Sequence, residues 1–206
     1  MSSSGNPSPA CAVLLVCTGN ICRSALAERL GRAYLDEVMG ASAADIRLTS
    51  AGTRAVVGSE MHPDSALVLD GFGAVPGDFR AQQITETLPA RADLILTMTR
   101  GHRQDVLAMA PRGLARTFTL REAATLVDRV PPADELPGDS LAKRAESFVA
   151  ALASARAERQ GGGEEDDVRD PIGQSIEVHQ EVAEAIVEAL LPLLRRLTQC
   201  ADAELR

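Results

Sequence analysis

The sequence predicts an α/β domain of three layers, in which helices cover both faces of a central four-stranded parallel sheet. Short apolar runs alternate along the chain with longer amphipathic segments, and the first run, CAVLLVC at residues 11–17, is apolar throughout. An unbroken apolar run is typical of a parallel strand that is buried on both faces. Strands that alternate with helices are joined by crossovers, which produce a parallel sheet between helical layers. With 206 residues and 45% apolar content, the chain can bury one such core.

Each element follows from a local pattern. After the first strand, residues 24–39 carry apolar side chains at helical spacing and form the first helix. The second and third strands are predicted at 46–53 and 91–99, and residues 115–127 supply a short fourth strand and a helix. Further helices are predicted at 63–73, 100–111, 141–158 and 175–197. Pro192 is expected to kink or break the last of them.

We predict a single domain at residues 12–200 between two tails. Residues 1–11 are rich in serine, proline and glycine and are expected to be disordered, and residues 201–206 form a C-terminal tail. Loops are predicted at 129–140 and at the glycine-rich, acidic residues 160–167. We expect the acidic run in the second of these loops to be solvated.

The charge of the chain argues against several classes of partner. It carries 21 basic and 29 acidic residues, a formal charge of -8. No basic cluster is present, so neither nucleic acid nor an anionic membrane surface is predicted as its partner. The N-terminus has no basic segment, and the apolar run after it is too short for a signal peptide or a membrane span. We expect a cytoplasmic, monomeric protein.

The cysteines and histidines do not have the spacing of a disulfide framework or a metal site. Four cysteines in a chain of this length are too few and too uneven for such a framework, so reduced thiols are expected. His62, His102 and His179 lie far apart in the sequence and are expected at the surface or at helix ends. We predict no metal and no cofactor.

A short polar turn, residues 18–22 (TGNIC), separates the first strand from the first helix. Open α/β sheets bind ligands at this end of their strands, and the amino end of a helix favours anions. Arg23 adds a planar guanidinium that can contact two phosphate oxygens. Gly19 and Asn20 suit a tightly curled backbone. Cys17 at the base of such a cradle is expected to be a thiolate, and therefore a nucleophile that faces a bound phosphorus.

These residues resemble the signature of the low-molecular-weight protein tyrosine phosphatase family. The family pattern V-C-x-G-N-x-C-R-S matches residues 16–24 (VCTGNICRS) at every fixed position. Residues 50–53, 93–107 and 117–122 are similar to other segments of the family, the last two to its bacterial members. Asp170 and Pro171 are similar to the Asp-Pro pair of its acid loop. The resemblance covers nearly the whole chain after residue 12.

The resemblance implies a cysteine-dependent phosphatase that works through a phosphocysteine. It makes Cys17 the nucleophile, Arg23 the phosphate clamp and Asp170 the proton donor. The implied phosphate-binding residues are Thr18, Gly19, Asn20, Ile21, Cys22 and Arg23, with Ser24 and Ser50 as supporting hydrogen-bond partners and Arg54, Val57 and Ile172 in the pocket wall. The implied substrate is an aryl phosphate such as phosphotyrosine on a protein, a bacterial tyrosine kinase being one candidate partner.

Three departures from the family pattern bear on this expectation. Members usually carry an aromatic residue after the Asp-Pro pair, where this chain has Ile172, so stacking on a phosphotyrosine ring from that side is lost. The chain is longer than most members, with extra residues at the N-terminus and around 129–167 that are expected to shape or cover the pocket. Ala25 replaces a proline, which the amino end of a helix tolerates.

Several alternatives are weighed against the tyrosine phosphatase. A small-molecule phosphatase for a sugar phosphate or a biosynthetic intermediate stays open because of Ile172. Arsenate reductases of this fold need two further cysteines, and none lies between Cys22 and Cys200. Protein-arginine phosphatases carry threonine where this chain has Ile21, whose apolar side chain suits an aryl ring better. If the chain were a non-catalytic phosphotyrosine-binding module, the presence of Cys17, Arg23 and Asp170 together would be unexplained.

Cys22 has two interpretations. It is either a small side chain packed under the turn, or a second thiol that captures oxidised Cys17 as a disulfide and so prevents irreversible oxidation.

Overall fold

The sheet has four parallel strands in the order β2-β1-β3-β4, and the computed structural model describes residues 9–202 of the chain. The strands are β1 (Cys11–Cys17), β2 (Ile46–Gly52), β3 (Leu94–Thr97) and β4 (Thr117–Thr119). β1 pairs with β2 on one side and with β3 on the other, and β3 pairs with β4. The predicted parallel sheet is therefore confirmed. Residues 1–8 and 203–206, which make up most of the predicted tails, lie outside the described part.

Helices join the strands at nearly the predicted places. They are α1 (Arg23–Met39), α2 (Pro63–Gly71), α3 (Thr87–Arg91), α4 (Arg100–Met109), α5 (Leu120–Leu126), α6 (Leu141–Ala157) and α7 (Ile176–Asp202). The sequence pattern does not predict α3, which has only five residues. Short 3-10 helices lie at Gly40–Asp45, Pro111–Arg116, Val127–Arg129 and Glu164–Asp166. β1 begins one residue before the predicted start of the domain, and α7 ends two residues after its predicted end.

The longest helix, α7, runs through Pro192 without interruption, so the predicted break does not occur. Leu190, Leu193 and Leu194 around the proline are all buried. Their packing holds the helix together although the proline nitrogen cannot donate a hydrogen bond. Within residues 9–202, no helix is both long and apolar enough to cross a bilayer.

Two hydrophobic cores cover the two faces of the sheet. Val13, Leu15 and Cys17 of β1 contact the larger core, which includes buried residues of α1, α2, α5, α6 and α7. Leu14 and Val16 contact a smaller core on the opposite face, together with residues of α4 and the region around α3. Because alternate residues of a strand point to opposite faces, burial on both sides accounts for the unbroken apolar run.

The acidic segment before α7 is tied to the body of the domain. Asp166 is buried and pairs with Arg159 at 2.7 Å, while Asp167 pairs with Arg100 at 3.1 Å. The backbone N–H of Val168 donates to the carbonyl of Met98 at 2.7 Å. The prediction of a solvated acidic run is therefore wrong for Asp166 and Asp167, which pair with arginines, whereas Glu164 and Glu165 are exposed. This anchoring brings the following residues to the carboxyl ends of the strands.

Candidate active site

The phosphate loop, defined as residues 18–22, follows β1 and curls back above the end of the sheet. The carbonyl oxygens of Thr18, Gly19 and Ile21 accept hydrogen bonds from the backbone N–H groups of residues 54, 56 and 62 at 3.0, 3.0 and 2.8 Å. Asn20 has a left-handed backbone with φ of 55°, which asparagine tolerates better than most residues. Its N–H lies 3.3 Å from Cys17 Sγ. Three carbonyls of the loop are therefore bonded to residues outside it, which anchors the loop at the end of the sheet.

The end of β2 lies directly against this loop. Gly52 pairs with Cys17 in the sheet register. A Cβ atom at Gly52 would lie 2.4 Å from the carbonyl oxygen of Thr18, a distance at which the backbone would have to move. Only glycine therefore permits β2 and the phosphate loop to approach as closely as they do.

The buried side chain of Asn20 organises the hydrogen bonds around Cys17. Its Oδ1 accepts the backbone N–H of Gln82 at 2.8 Å, which determines the orientation of the amide because a backbone N–H can only donate. Its Nδ2 donates to Ser24 Oγ at 2.9 Å and to Ser50 Oγ at 2.8 Å. Ser24 Oγ also lies 2.9 Å from Cys17 Sγ. The Ser24 hydroxyl therefore lies where it can donate a hydrogen bond to the sulfur of Cys17.

Ser50 continues the network to an acidic residue of α1. Its hydroxyl donates to Glu28 Oε2 at 2.6 Å, and its carbonyl accepts from Gln82 Nε2 at 2.8 Å. Burial raises the pKa of Glu28, and the hydrogen bond from Ser50 opposes that shift. Sequence reasoning missed both Glu28 and Gln82. The position of Glu28, one helical turn after Ser24, is a signal that could have found it.

Arg23 lies at the first residue of α1 and contacts the segment that precedes α7. Its Nη2 lies 2.5 Å from Asp170 Oδ2, and its Nη1 donates to the carbonyl of Val168 at 3.1 Å. Asp170 Oδ1 accepts the N–H of Ile172 at 3.2 Å, which orients the carboxylate. The Arg23 side chain is 4% exposed and that of Asp170 is 49% exposed. The carboxyl group therefore lies at the mouth of the site, whereas the guanidinium is enclosed.

His102 is a site residue that sequence reasoning missed. Its Nε2 lies 2.8 Å from Thr18 Oγ1 in the phosphate loop, and its Nδ1 lies 2.8 Å from Thr99 Oγ1, the cap of α4. Burial and, second, the positive charge of Arg23 lower the pKa of His102 to about 4. The neutral ring therefore links α4 to the loop. All three histidines lie at helix starts as predicted, but His102 and His179 are buried and not at the surface.

The segment after β2 borders the phosphate loop, where the pocket wall is predicted. The backbone of Arg54 is bonded to the loop, while its side chain is exposed. A Cβ atom at Gly19 would lie 3.5 Å from Ile21 and 3.7 Å from Val56, so these two apolar side chains flank the loop. Val57 and Ile172, two predicted wall residues, are exposed apolar side chains.

All four cysteines are buried and free. Burial raises the pKa of Cys22 to about 11, and a hydrogen bond from Ser65 and the charge of Arg23 partly oppose that shift. Cys22 is therefore a neutral thiol at pH 7. A disulfide between these two residues stays a prediction.

The comparisons with known proteins agree on one family. Residues 12–130 match the family model described as low molecular weight phosphotyrosine protein phosphatase. The chain is 36% identical over 110 residues to a probable low molecular weight protein-tyrosine-phosphatase, EpsP, of Ralstonia nicotianae, which covers 53% of this chain and 70% of that protein.

Two further similarities extend over nearly the whole chain. A protein-arginine-phosphatase of Bacillus subtilis is 25% identical over 185 residues, which are 90% of this chain and 95% of that protein. The solved structure of a low molecular weight protein tyrosine phosphatase from T. tengcongensis is 26% identical, with a TM-score of 0.64, and the match covers 90% of this chain and 98% of the other. The similarity therefore includes the segment around Asp170 and α7 that lies outside the family model.

Proposed function

The chain belongs to the low molecular weight phosphotyrosine protein phosphatase family, and on this premise we propose that it hydrolyses phosphotyrosine on proteins through a phosphocysteine intermediate. The observation that carries the proposal is the anchored phosphate loop, which has Cys17 at one end and Arg23 at the other. We expect its N–H groups to bind a tetrahedral oxyanion.

The first chemical step transfers the phosphoryl group to the enzyme. Cys17 Sγ attacks phosphorus, the S–P bond forms, and the P–O bond to the phenol breaks. Asp170 in its protonated form gives its proton to the leaving oxygen. The guanidinium of Arg23 and the N–H groups of the loop stabilise the charge on the three remaining phosphoryl oxygens.

The second step regenerates the thiolate. Asp170 now accepts a proton from a water molecule as that water attacks phosphorus, the S–P bond breaks, and inorganic phosphate leaves. The hydrogen bond from Ser24, oriented by Asn20, stabilises the departing sulfur. In the structure Asp170 is bonded to Arg23, so substrate phosphate is expected to take over the guanidinium and to release the carboxyl group for proton transfer.

An aryl substrate suits the surroundings of the loop. Ile21 and Val56 lie beside Gly19, and Val57 and Ile172 expose apolar surface. These side chains offer nonpolar contact to an aromatic ring, although none is aromatic. The proposed partner is accordingly a tyrosine-phosphorylated protein.

The test of this proposal is the Cys17→Ser variant. It should bind phosphate or vanadate and lose essentially all turnover, because a serine hydroxyl is not ionised at neutral pH. Binding is measured by calorimetry and turnover with a phosphotyrosine peptide. Retained turnover in the variant would end the covalent proposal.

Protein-arginine phosphatase activity is the second candidate, since the relative of that name aligns with 90% of this chain. The apolar side chain of Ile21 favours a flat aryl ring over a charged guanidino group. Peptides carrying phosphotyrosine, phosphoserine or phosphoarginine, assayed beside sugar phosphates, decide between the candidates. The highest kcat/KM is expected for phosphotyrosine, and a higher value for phosphoarginine or a sugar phosphate would replace the proposed substrate.

A further inference from the structure

Three side chains with metal-binding atoms meet behind the phosphate loop. They are Cys22 at the end of the loop, His62 at the cap of α2 and His179 in the first turn of α7. Their ligand atoms all lie within 4.8 Å of one another. We call this group the Cys-His cluster. Its members are far apart in the sequence, so they form no metal-binding motif that could be recognised from residue spacing.

The two imidazole rings of the cluster are stacked on each other, with centroids 4.9 Å apart and an angle of 19° between the ring planes. Asp64 reaches both rings. Its Oδ2 lies 3.8 Å from His62 Nδ1 and 3.9 Å from His179 Nε2. Two imidazoles and a thiol thus lie together, and a carboxylate lies beside both rings.

His179 has a buried nitrogen that lacks a partner. The residue is 1% exposed, and its Nδ1 pairs with Ser65 Oγ at 2.9 Å. Its Nε2 has no hydrogen bond to any residue in the described part of the chain. Burial lowers the pKa of this ring, and the nearby carbonyl of Pro171 opposes that shift. The carbonyl nevertheless makes no hydrogen bond to Nε2. A buried polar atom without a partner is unfavourable, so a ligand at this nitrogen would be stabilising.

We propose that Cys22, His62, His179 and Asp64 form a binding site for a zinc ion, and that zinc bound there inhibits the phosphatase. Thiolate, imidazole and carboxylate are all ligands that Zn²⁺ accepts in tetrahedral geometry, whereas Mg²⁺ and Ca²⁺ prefer oxygen donors alone. The thiol proton of Cys22 leaves to the solvent when the metal binds. His62 and Asp64 are partly exposed and provide the way in.

Inhibition follows from the distances. Donor atoms around tetrahedral zinc, at bond lengths of about 2.0–2.3 Å, lie about 3.3–3.8 Å apart. The Cys-His cluster, with separations up to 4.8 Å, therefore has to contract by up to about 1–1.5 Å. Cys22 directly precedes Arg23, and the N–H of His62 is bonded to the carbonyl of Ile21 at 2.8 Å. Contraction would thus displace the loop that holds phosphate, and a displacement of about 1 Å can cost about 10²-fold in rate.

Metal binding is tested first in the Cys17→Ser protein, which lacks the catalytic thiol as a competing ligand. Zn²⁺ is titrated against a chromophoric chelator, and Co²⁺ replaces it to reveal thiolate coordination by its charge-transfer absorption. We expect one equivalent of bound metal. Adding Cys22→Ser, His62→Gln or His179→Gln should weaken binding by more than about 100-fold, since even an outer partner of a metal ligand is worth about 10–100-fold.

The matched control is Cys200→Ser, which removes a buried free thiol outside the cluster and should leave zinc affinity unchanged. Circular dichroism shows whether each variant is folded. If Cys22→Ser and His179→Gln do not fold, His62→Gln alone tests zinc binding, because the side chain of His62 is partly exposed. Zinc binding that is unaffected by His62→Gln, or no binding at all, would overturn the proposal.

Inhibition is tested in the enzyme with Cys17 intact. Zinc should inhibit hydrolysis of p-nitrophenyl phosphate. In His62→Gln, the zinc concentration that gives half-maximal inhibition should rise, and the factor should equal the loss of zinc affinity in the same variant. Equal inhibition of both proteins would mean that zinc acts at Cys17 instead. The inhibition test rests on the proposed phosphatase activity. The binding measurements do not depend on turnover, so they test the zinc site independently of that activity.

Discussion

Replacing Asn20 by alanine tests whether one buried amide both stabilises the phosphate loop and orients the nucleophile. The side chain is fully buried and makes three hydrogen bonds, to Ser24, to Ser50 and from Gln82. Alanine makes none of them and leaves a backbone N–H unsatisfied. The hydroxyl of Ser24 also loses the amide donor that holds it beside Cys17.

The expected loss of stability follows from these contacts. Three hydrogen bonds at about 1 kcal/mol each, and about 1 kcal/mol for alanine at a left-handed backbone position, give about 4 kcal/mol. This is a large part of the stability of an ordinary domain, about 5–15 kcal/mol. Asn20→Gly loses the same hydrogen bonds without the strain at φ of 55°. It should therefore be more stable than the alanine variant, by up to about 1 kcal/mol.

Urea unfolding followed by circular dichroism measures the stability of both variants. Their kcat/KM on p-nitrophenyl phosphate is measured where they are folded and should fall by about 10–100-fold, the equivalent of one hydrogen bond to a charged group. If Asn20→Ala loses less than about 1 kcal/mol and keeps its kcat/KM, the amide does not have the assigned role.

Three further predictions concern catalysis, redox behaviour and pH. Asp170→Asn should slow hydrolysis of a phosphate ester with a poor leaving group by about 10²–10⁴-fold, and hydrolysis of an activated aryl phosphate by less. If steady-state assays show equal losses for both substrates, Asp170 has a structural role and is not the proton donor. Mild peroxide should inactivate the enzyme reversibly, with a Cys17–Cys22 bridge visible by mass spectrometry. If Cys22→Ser recovers as fully as the parent with thiol reductant, the protective role of Cys22 is wrong. Because the pKa of His102 is lowered from 6.5 to about 4, the unfolded chain takes up this proton first. Stability should therefore fall as the pH drops from about 6.5 toward 4, and His102→Gln should flatten that slope in urea unfolding; an identical slope contradicts the assignment.

The local part of the fold could be predicted from the sequence because near neighbours determine it. The apolar run of β1, the turn after it and the helical spacing of α1 are properties of adjacent residues, and the structure has all three. Cys17 and Arg23 share one turn, so their proximity is a consequence of chain connectivity alone. Asp170 could be anticipated only through family resemblance, since it is 147 residues away from Arg23.

Other features depend on which element lies opposite which, and local patterns carry no such information. His102 looks like an ordinary residue in the first turn of α4 until the pairing of β3 with β1 brings it to Thr18. The acidic residues before α7 look like a solvated loop until Arg159 and Arg100 pair with them. A charged or titratable side chain therefore acquires its role from contacts distant in sequence.

The sequence by itself determined the class of fold and the turn that brings Cys17 and Arg23 together, because periodicity and turn geometry are short-range properties of the backbone. Only the tertiary structure decided the network from Asn20 to Glu28, the link from His102 to the loop, and the meeting of Cys22, His62 and His179. Packing of helices against the sheet brings these groups together over long stretches of chain. Burial there removes water and leaves each polar atom dependent on the partner that the fold provides.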